Sequence, residues 1–214
     1  MRATLIHTGP IELDIGELRR RLARPRRASG SLSGDYGADS ATPSLRPASV
    51  LIPIVVRSEE FTVLFTRRTT HLRDHSGQIS FPGGRAEPHD PSPESTALRE
   101  TVEEIGLDPE RIEVVGRLAE YRTRTGYRIT PVVGFVTPPF ELKPDAHEVD
   151  EVFEVPFSFL LDPGNHLLQS RQILGEVRSY FAIPYDRHYI WGATAGLLVN
   201  LYRHLVEYDT GSRE

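Results

Sequence analysis

Cysteine is absent from the 214-residue chain. That excludes a disulfide framework, a thiol nucleophile and zinc–thiolate sites, and it fits a reducing compartment, with the cytoplasm as the expected location. Long apolar runs are absent as well: no stretch approaches the roughly 18 consecutive apolar residues of a membrane span. The opening segment, "MRATLIHTGPIELDIGELRR", has no apolar core ahead of a small-residue cleavage site, so no secretory signal is expected. An excess of positive charge is also missing. The net charge of −5 gives no reason to expect bulk nucleic acid or an anionic membrane as a partner. The 25 Lys and Arg are mostly arginine, so local basic patches stay open.

The chain does have an ordinary globular composition, 38% hydrophobic and 26% charged, and enough length for one sizeable core. Ile11 to Ala23 reads as a short helix with a basic end. The Gly-, Ser-, Pro- and Arg-rich stretch after it has little to bury and reads as a linker, so residues 1–47 are expected to be helix plus flexible linker. The compact body is expected over 48–214. "SVLIPIVVR" is a strand buried on both faces, and "FTVLFTRR" completes a hairpin with it. Ser92 caps a helix that has Pro93 in its first turn and Gly106 at its end. Ala97, Leu98, Thr101, Val102 and Ile105 are expected to form its inward stripe. "RIEVVGRLAEYRT" and "YRITPVVGFV" read as two strands joined at Thr125-Gly126. "EVFEVPFSFLL" reads as a strand running into a helical turn, and "VRSYFAIPYDRHYIWG" as a last hairpin. Trp191 is expected to pack a closing helix, "ATAGLLVNLYRHLVEY", on the sheet. This order argues an α/β sandwich with a mixed sheet and helices on its faces.

Within the capped helix Glu100, Glu103 and Glu104 stand at i, i+3 and i+4, so they share one face. Like charges at that spacing repel, unless a solvated face or a hard divalent cation relieves them; Mg²⁺ prefers such oxygen donors and leaves room for waters and phosphates. Gly83 and Gly84, just upstream, allow backbone to approach a ligand or metal closely. Arg99, four residues before Glu103, can orient one of the carboxylates.

These residues resemble the box of the Nudix hydrolases, G-x5-E-x7-R-E-U-x-E-E-x-G-U, where U is apolar. Gly84, Arg99, Glu100, Glu103, Glu104, Gly106 and Leu107 fall on it. Asp90 stands where the family has Glu, one extra residue separates it from Arg99, and Thr101 replaces an apolar residue. The resemblance implies a Nudix α/β/α sandwich over 48–214. It also implies Mg²⁺ or Mn²⁺ held by Glu100, Glu103 and Glu104 beside the Gly84 backbone, with hydrolysis of a diphosphate. The general base is left open between Glu103 and Glu148, the latter in the acidic loop "DAHEVDEVFEV".

Upstream, "LFTRRTTHLRDHSGQISFPGG" resembles the narrower signature L-L-T-x-R-[SA]-x3-R-x3-G-x3-F-P-G-G of Nudix coenzyme A pyrophosphatases. Leu64, Thr66, Arg68, Arg73, Gly77, Phe81, Pro82, Gly83 and Gly84 match it in register, with Phe65 and Thr69 as mild departures. It implies coenzyme A or an acyl derivative as substrate. Arg67, Arg68, Arg73 and Gly83 are the phosphate-side candidates, since arginine forks match phosphate oxygens in pairs. Tyr127 and Arg128 are candidates for the adenine or the extra 3′-phosphate. His71 and His75 lie in a loop and are read as local contacts, not a zinc site. The rival readings are ADP-ribose, NADH or a dinucleoside polyphosphate as substrate, or a Nudix-fold sensor that binds a nucleotide without cleaving it. A small nucleotide is thus the expected partner, and self-association into a homodimer stays open.

Overall fold

The structure is a computed structural model that describes residues 13–24, 34, 45–71, 76–173 and 176–210. Its centre is β1 (Arg46–Val56), which pairs in parallel with β7 (Tyr127–Val136) over ten successive residues, Arg46↔Tyr127 to Val55↔Val136. The other edge of β1 is shared. Its first half pairs with β4 (Gly83–Arg85) through Ala48↔Arg85, Ser49↔Gly84 and Val50↔Gly83. Its second half pairs with β2 (Phe61–Arg68) through Ile54↔Val63 to Val56↔Phe61. A proline inside a central strand removes a ladder donor and is normally excluded. Pro53 is accommodated because Leu51 N donates to Pro82 O, so alternation aims the missing Pro53 donor at the same edge. There β4 has ended and β2 has not begun. This change of partner carries the double glycine into the middle of the sheet.

The sheet runs β3 (Ile79–Ser80), β2, β1, β7, β5 (Ile112–Arg117), with β6 (Tyr121–Arg122) on β7 and β8 (Val149–Pro156) on β2. One face carries α2 (Pro93–Ile105), packed through Ala97 and Ile105 against Leu51, Val55, Leu64, Val132 and Val136. The opposite face carries the larger core: α1 (Ile15–Leu22), α3 (Phe157–Leu161) and α4 (Ala193–Thr210), with Ile52, Ile54, Val63, Phe65, Val133 and Phe135 beneath them. Among the described residues no helix is long and apolar enough to cross a membrane. The expected α/β/α sandwich is the architecture found.

Several local expectations change. Residues 111–123 are not one strand: a 3₁₀ turn (Pro109–Arg111), β5 and β6 divide the segment, and the β5–β7 register shifts between Val114 and Gly116. The last hairpin is part of a second, three-stranded sheet, β9 (Leu167–Ile173), β10 (Glu176–Tyr185) and β11 (His188–Trp191). In β11 His188 and Ile190 point inward, so two-residue alternation turns Trp191 outward. There it lies edge-on to Tyr180 and does not pack α4 on the sheet. Val102 is not on the inward stripe of α2; it is 41% exposed, and Glu104 takes an inward place. Most of the segment between α1 and β1 lies outside the described residues.

The N-terminal helix is built into the main core. Asp14 caps it, accepting from Glu17 N at 2.8 Å, and Leu18 and Leu22 are buried beside Leu198, Leu201 and Leu205. Arg21 Nη1 donates to Leu205 O at 2.7 Å. Burying a leucine that well makes its loss costly. Leu18→Ala is expected to destabilise the protein by about 2–5 kcal/mol, as read from urea unfolding midpoints.

Candidate metal and diphosphate site

The site is assembled where β4 passes under α2. Ser92 Oγ accepts from Ser95 N at 3.2 Å, Pro93 supplies a pre-set first turn, and Gly106 closes the helix at φ 64°. This fixes which side of α2 faces β4. Thr101, the non-apolar residue of the box, is fully buried and donates its hydroxyl to Ala97 O at 2.7 Å. Bonded back to its own helix, it serves as a small buried side chain.

Glu104 lies beneath the helix with 4% exposure. Gly83 N donates to its Oε2 at 3.1 Å, and Arg68 Nη1 stands 3.5 Å from its Oε1. Burial dominates its titration and pushes it up to about 8; the charges of Glu148 and Glu100 push the same way, against the Gly83 N–H and Arg68. Glu100 is raised too, mainly by burial. Its carboxylate rests on the Gly84 α-carbon, where a β-carbon would stand 2.4 Å from it. Glu148 sits on the loop before β8 and is exposed, and its charge acts on both Glu100 and Glu104. Glu100, Glu104, Glu148, Arg68, Gly83 and Gly84 are thus brought to one place.

Glu103 is held at the rim by Arg99, whose Nη1 donates to its Oε2 at 2.8 Å. The same nitrogen lies 3.0 Å from Glu100 Oε1. Arg99 is oriented in turn by Asp90, through Nε to Oδ1 at 3.1 Å and Nη2 to Oδ2 at 3.0 Å, and it donates to Arg85 O. Asp90 also accepts from Thr96 Oγ1 and Glu87 N, and Arg99 above all holds its carboxyl well below the usual carboxylate range. The shorter acid with its extra residue therefore serves as the anchor of Arg99, a role the linear spacing did not reveal.

Strand alternation separates candidates that are adjacent in sequence. Leu64 packs on the α2 side and Phe65 on the other, so Arg68 faces α2 and Arg67 faces away. Arg67 instead pairs with Asp150 and Glu151. Likewise Arg128 shares the α2 side with Val132, near Glu120 at 3.9 Å. Tyr127 lies on the opposite side under the Arg46 guanidinium, 4.2 Å from the ring centroid. Arg73 and His75 lie outside the described residues. His71 is exposed, and no zinc cage forms around it among the described residues.

Among the described residues no three acidic or histidine side chains converge closely enough to hold an ion as they stand. The donor chemistry nevertheless fits a hard cation. Glu100 and Glu104 lie near one another, Glu104 is buried with a raised pKa, and the groups that pair with the two carboxylates are the Gly83 N–H and the Arg68 and Arg99 guanidinium groups. The titration has a consequence for the cation-free chain. A carboxyl raised in the folded state contributes stability below its unfolded pKa that is lost as pH rises through the folded value. In EDTA the protein is expected to lose a few kcal/mol between about pH 4.5 and 8. Glu104→Gln should flatten that loss, as checked by urea unfolding across the range.

A NUDIX domain family model matches residues 45–175. The chain is 38% identical over 156 residues to "Uncharacterized Nudix hydrolase NudL" of Photorhabdus laumondii, covering 73% of this chain and 83% of the relative. The protein of the same name in Escherichia coli K12 is also 38% identical, with 73% and 81% covered. Among solved structures, a Nudix hydrolase from M. smegmatis, RenU, overlays with TM-score 0.50 at 19% identity, covering 79% of this chain and 88% of that one, which supports the fold. With the box residues carried on α2 and on β4 beside it, and the family model matching more than half of this chain, the chain belongs to the Nudix hydrolases.

Proposed function

We propose that the protein is a divalent-metal-dependent diphosphatase acting on coenzyme A or an acyl derivative, releasing 3′,5′-ADP and 4′-phosphopantetheine or its acyl form. The observation that carries this reading is the meeting of the two motifs at one carboxylate. Arg68 and Gly83, both from the coenzyme A-type stretch, touch Glu104 of the Nudix box.

In this reading Glu100, Glu103 and Glu104, beside the Gly84 backbone, would hold Mg²⁺ or Mn²⁺. Such an ion, when bound, supplies Lewis-acid charge to the diphosphate and acidifies the attacking water. Glu103 swings off Arg99 to join the other two, and Asp90 keeps Arg99 in place while it does so. Glu148, exposed and on a loop, accepts the proton from the attacking water. The water oxygen bonds to phosphorus as the bridging P–O bond breaks, and the displaced phosphate leaves with the other half of the substrate. Arg68 offsets charge on the diphosphate oxygens, and the motif implies Arg73 as a further phosphate-side residue. Arg128, on the same side of the sheet, is assigned to the 3′-phosphate.

Purified protein with Mg²⁺ or Mn²⁺ should hydrolyse coenzyme A in preference to dephospho-coenzyme A, ADP-ribose and NADH, with products resolved chromatographically. Preference for ADP-ribose would reject the substrate, and no turnover of any diphosphate would reject the hydrolytic reading altogether. Arg128→Ala should erode the preference for coenzyme A over dephospho-coenzyme A by about 10-fold, the scale of one charge-assisted phosphate contact.

A further inference from the structure

Arg67 faces away from Glu100 and Glu104, yet it sits at the register shift in the β2–β8 pairing. β8 pairs with β2 in antiparallel fashion through Phe65↔Phe153, Thr66↔Val152 and Arg67↔Glu151. The next pair is Arg68↔Val149, so Asp150 is an extra, unpaired residue. The packing shows what the extra residue does. Val152 and Val149 both pack on the α2 side with Leu64 and Ile105. In a regular strand residues three apart face opposite sides. The bulge therefore puts Val149 on the α2 side, and Glu148 is the residue that precedes it.

Arg67 clamps both residues of this bulge. Its Nε donates to Asp150 Oδ2 at 3.0 Å, and its Nη2 stands 2.7 Å from Asp150 Oδ2 and 3.1 Å from Glu151 Oε2. Glu151 is held from the far side by Arg187 and by His188, whose Nε2 lies 3.3 Å from Glu151 Oε1 and whose ring stacks on Phe153. Beyond the bulge the backbone is tied down in register. Thr69 N donates to Glu148 O at 2.9 Å, and Thr69 Oγ1 donates to His147 O at 2.9 Å.

We infer that Arg67 is a positioning residue: by clamping the Asp150 bulge across β2 and β8 it fixes where Glu148 stands relative to Glu100 and Glu104. The inference rests on the proposed role of Glu148 for its kinetic consequence, but not for its structural one. Arg67 and Asp150 are both partly exposed, and an exposed ion pair adds little to global stability. Its loss should therefore show locally.

The test combines amide exchange with kinetics. In Arg67→Ala and in Asp150→Asn, the Thr69 and Val149 amides, which bond to Glu148 O and Asp145 O, should exchange at least about 10-fold faster, with the thermal midpoint nearly unchanged. Unchanged exchange at both amides would overturn the inference, whatever the kinetics. With coenzyme A, Arg67→Ala should lower kcat about 10-fold with KM within about twofold, and Arg67→Lys should recover part of the loss. In a Glu148→Gln background Arg67→Ala should add nothing further. Additive losses, or a rise in KM alone, would overturn the positioning role while leaving the diphosphatase reading intact. A normal kcat for Glu148→Gln would instead reject Glu148 as the base; accelerated exchange would then still support the clamp itself.

Discussion

Glu104→Gln is expected to lower kcat with coenzyme A by at least about 100-fold, the scale seen when a preorganised charge at the reacting phosphate is lost. Glutamine is close to isosteric and can still accept from Gly83 N, so the helix should stay seated on β4. Only the ionised carboxylate is removed. That isolates charge from packing, which an alanine substitution would not. The change also removes a buried ionisable group, so the cation-free variant should be at least as stable as the parent at pH 8. A variant that is equally stable and inactive would assign the carboxylate to chemistry. Near-normal turnover at saturating Mn²⁺ would remove Glu104 from the site. Glu103→Gln should cost less, because Glu103 is 58% exposed at its side chain and already shared with Arg99.

Much of this site was legible in the sequence because local physics wrote it there. Ser92, Pro93 and Gly106 bound the helix as caps do, and helical spacing put three glutamates on one face. What linear reading did not supply was the third dimension of the strands. Arg67 and Arg68 look equivalent as phosphate ligands in the sequence, although neighbouring strand residues must face opposite sides, and Glu100 and Glu104 are on the α2 side. Tyr127 and Arg128 divide in the same way. The bulge at Asp150 leaves only the three-residue spacing of Val149 and Val152 in "EVDEVFEV", which becomes readable once β8 is set against β2. β9 was missed because "LLQSRQI" has four polar residues in succession and borrows its order from β10. The Arg99–Asp90 pairing was hidden by the extra residue, which the loop before α2 absorbs while Asp90 still reaches the guanidinium.

The double glycine carries the second large prediction. Gly83 has φ 151°, a conformation that side chains rarely adopt, and a β-carbon there would stand 2.4 Å from Ser49 O and 2.6 Å from Val50 Cα. Those atoms are backbone of the central strand and cannot yield without breaking the β1–β4 register. Gly83→Ala should therefore combine backbone strain with a forced shift of β4, destabilising the fold by about 3 kcal/mol or more. The same shift withdraws the N–H from Glu104, so kcat should fall by about 100-fold even in the fraction that folds. Gly84→Ala separates the two effects. Its φ is not in the glycine-favouring region, and its β-carbon would meet the Glu100 carboxylate, the end of a flexible side chain, instead of backbone. It should leave unfolding nearly unchanged while displacing Glu100 and weakening Mn²⁺ binding, measured by calorimetric titration. If Gly84→Ala unfolds the protein as readily as Gly83→Ala, the glycines are needed for folding alone. If it binds Mn²⁺ as the parent does, Glu100 is not a ligand.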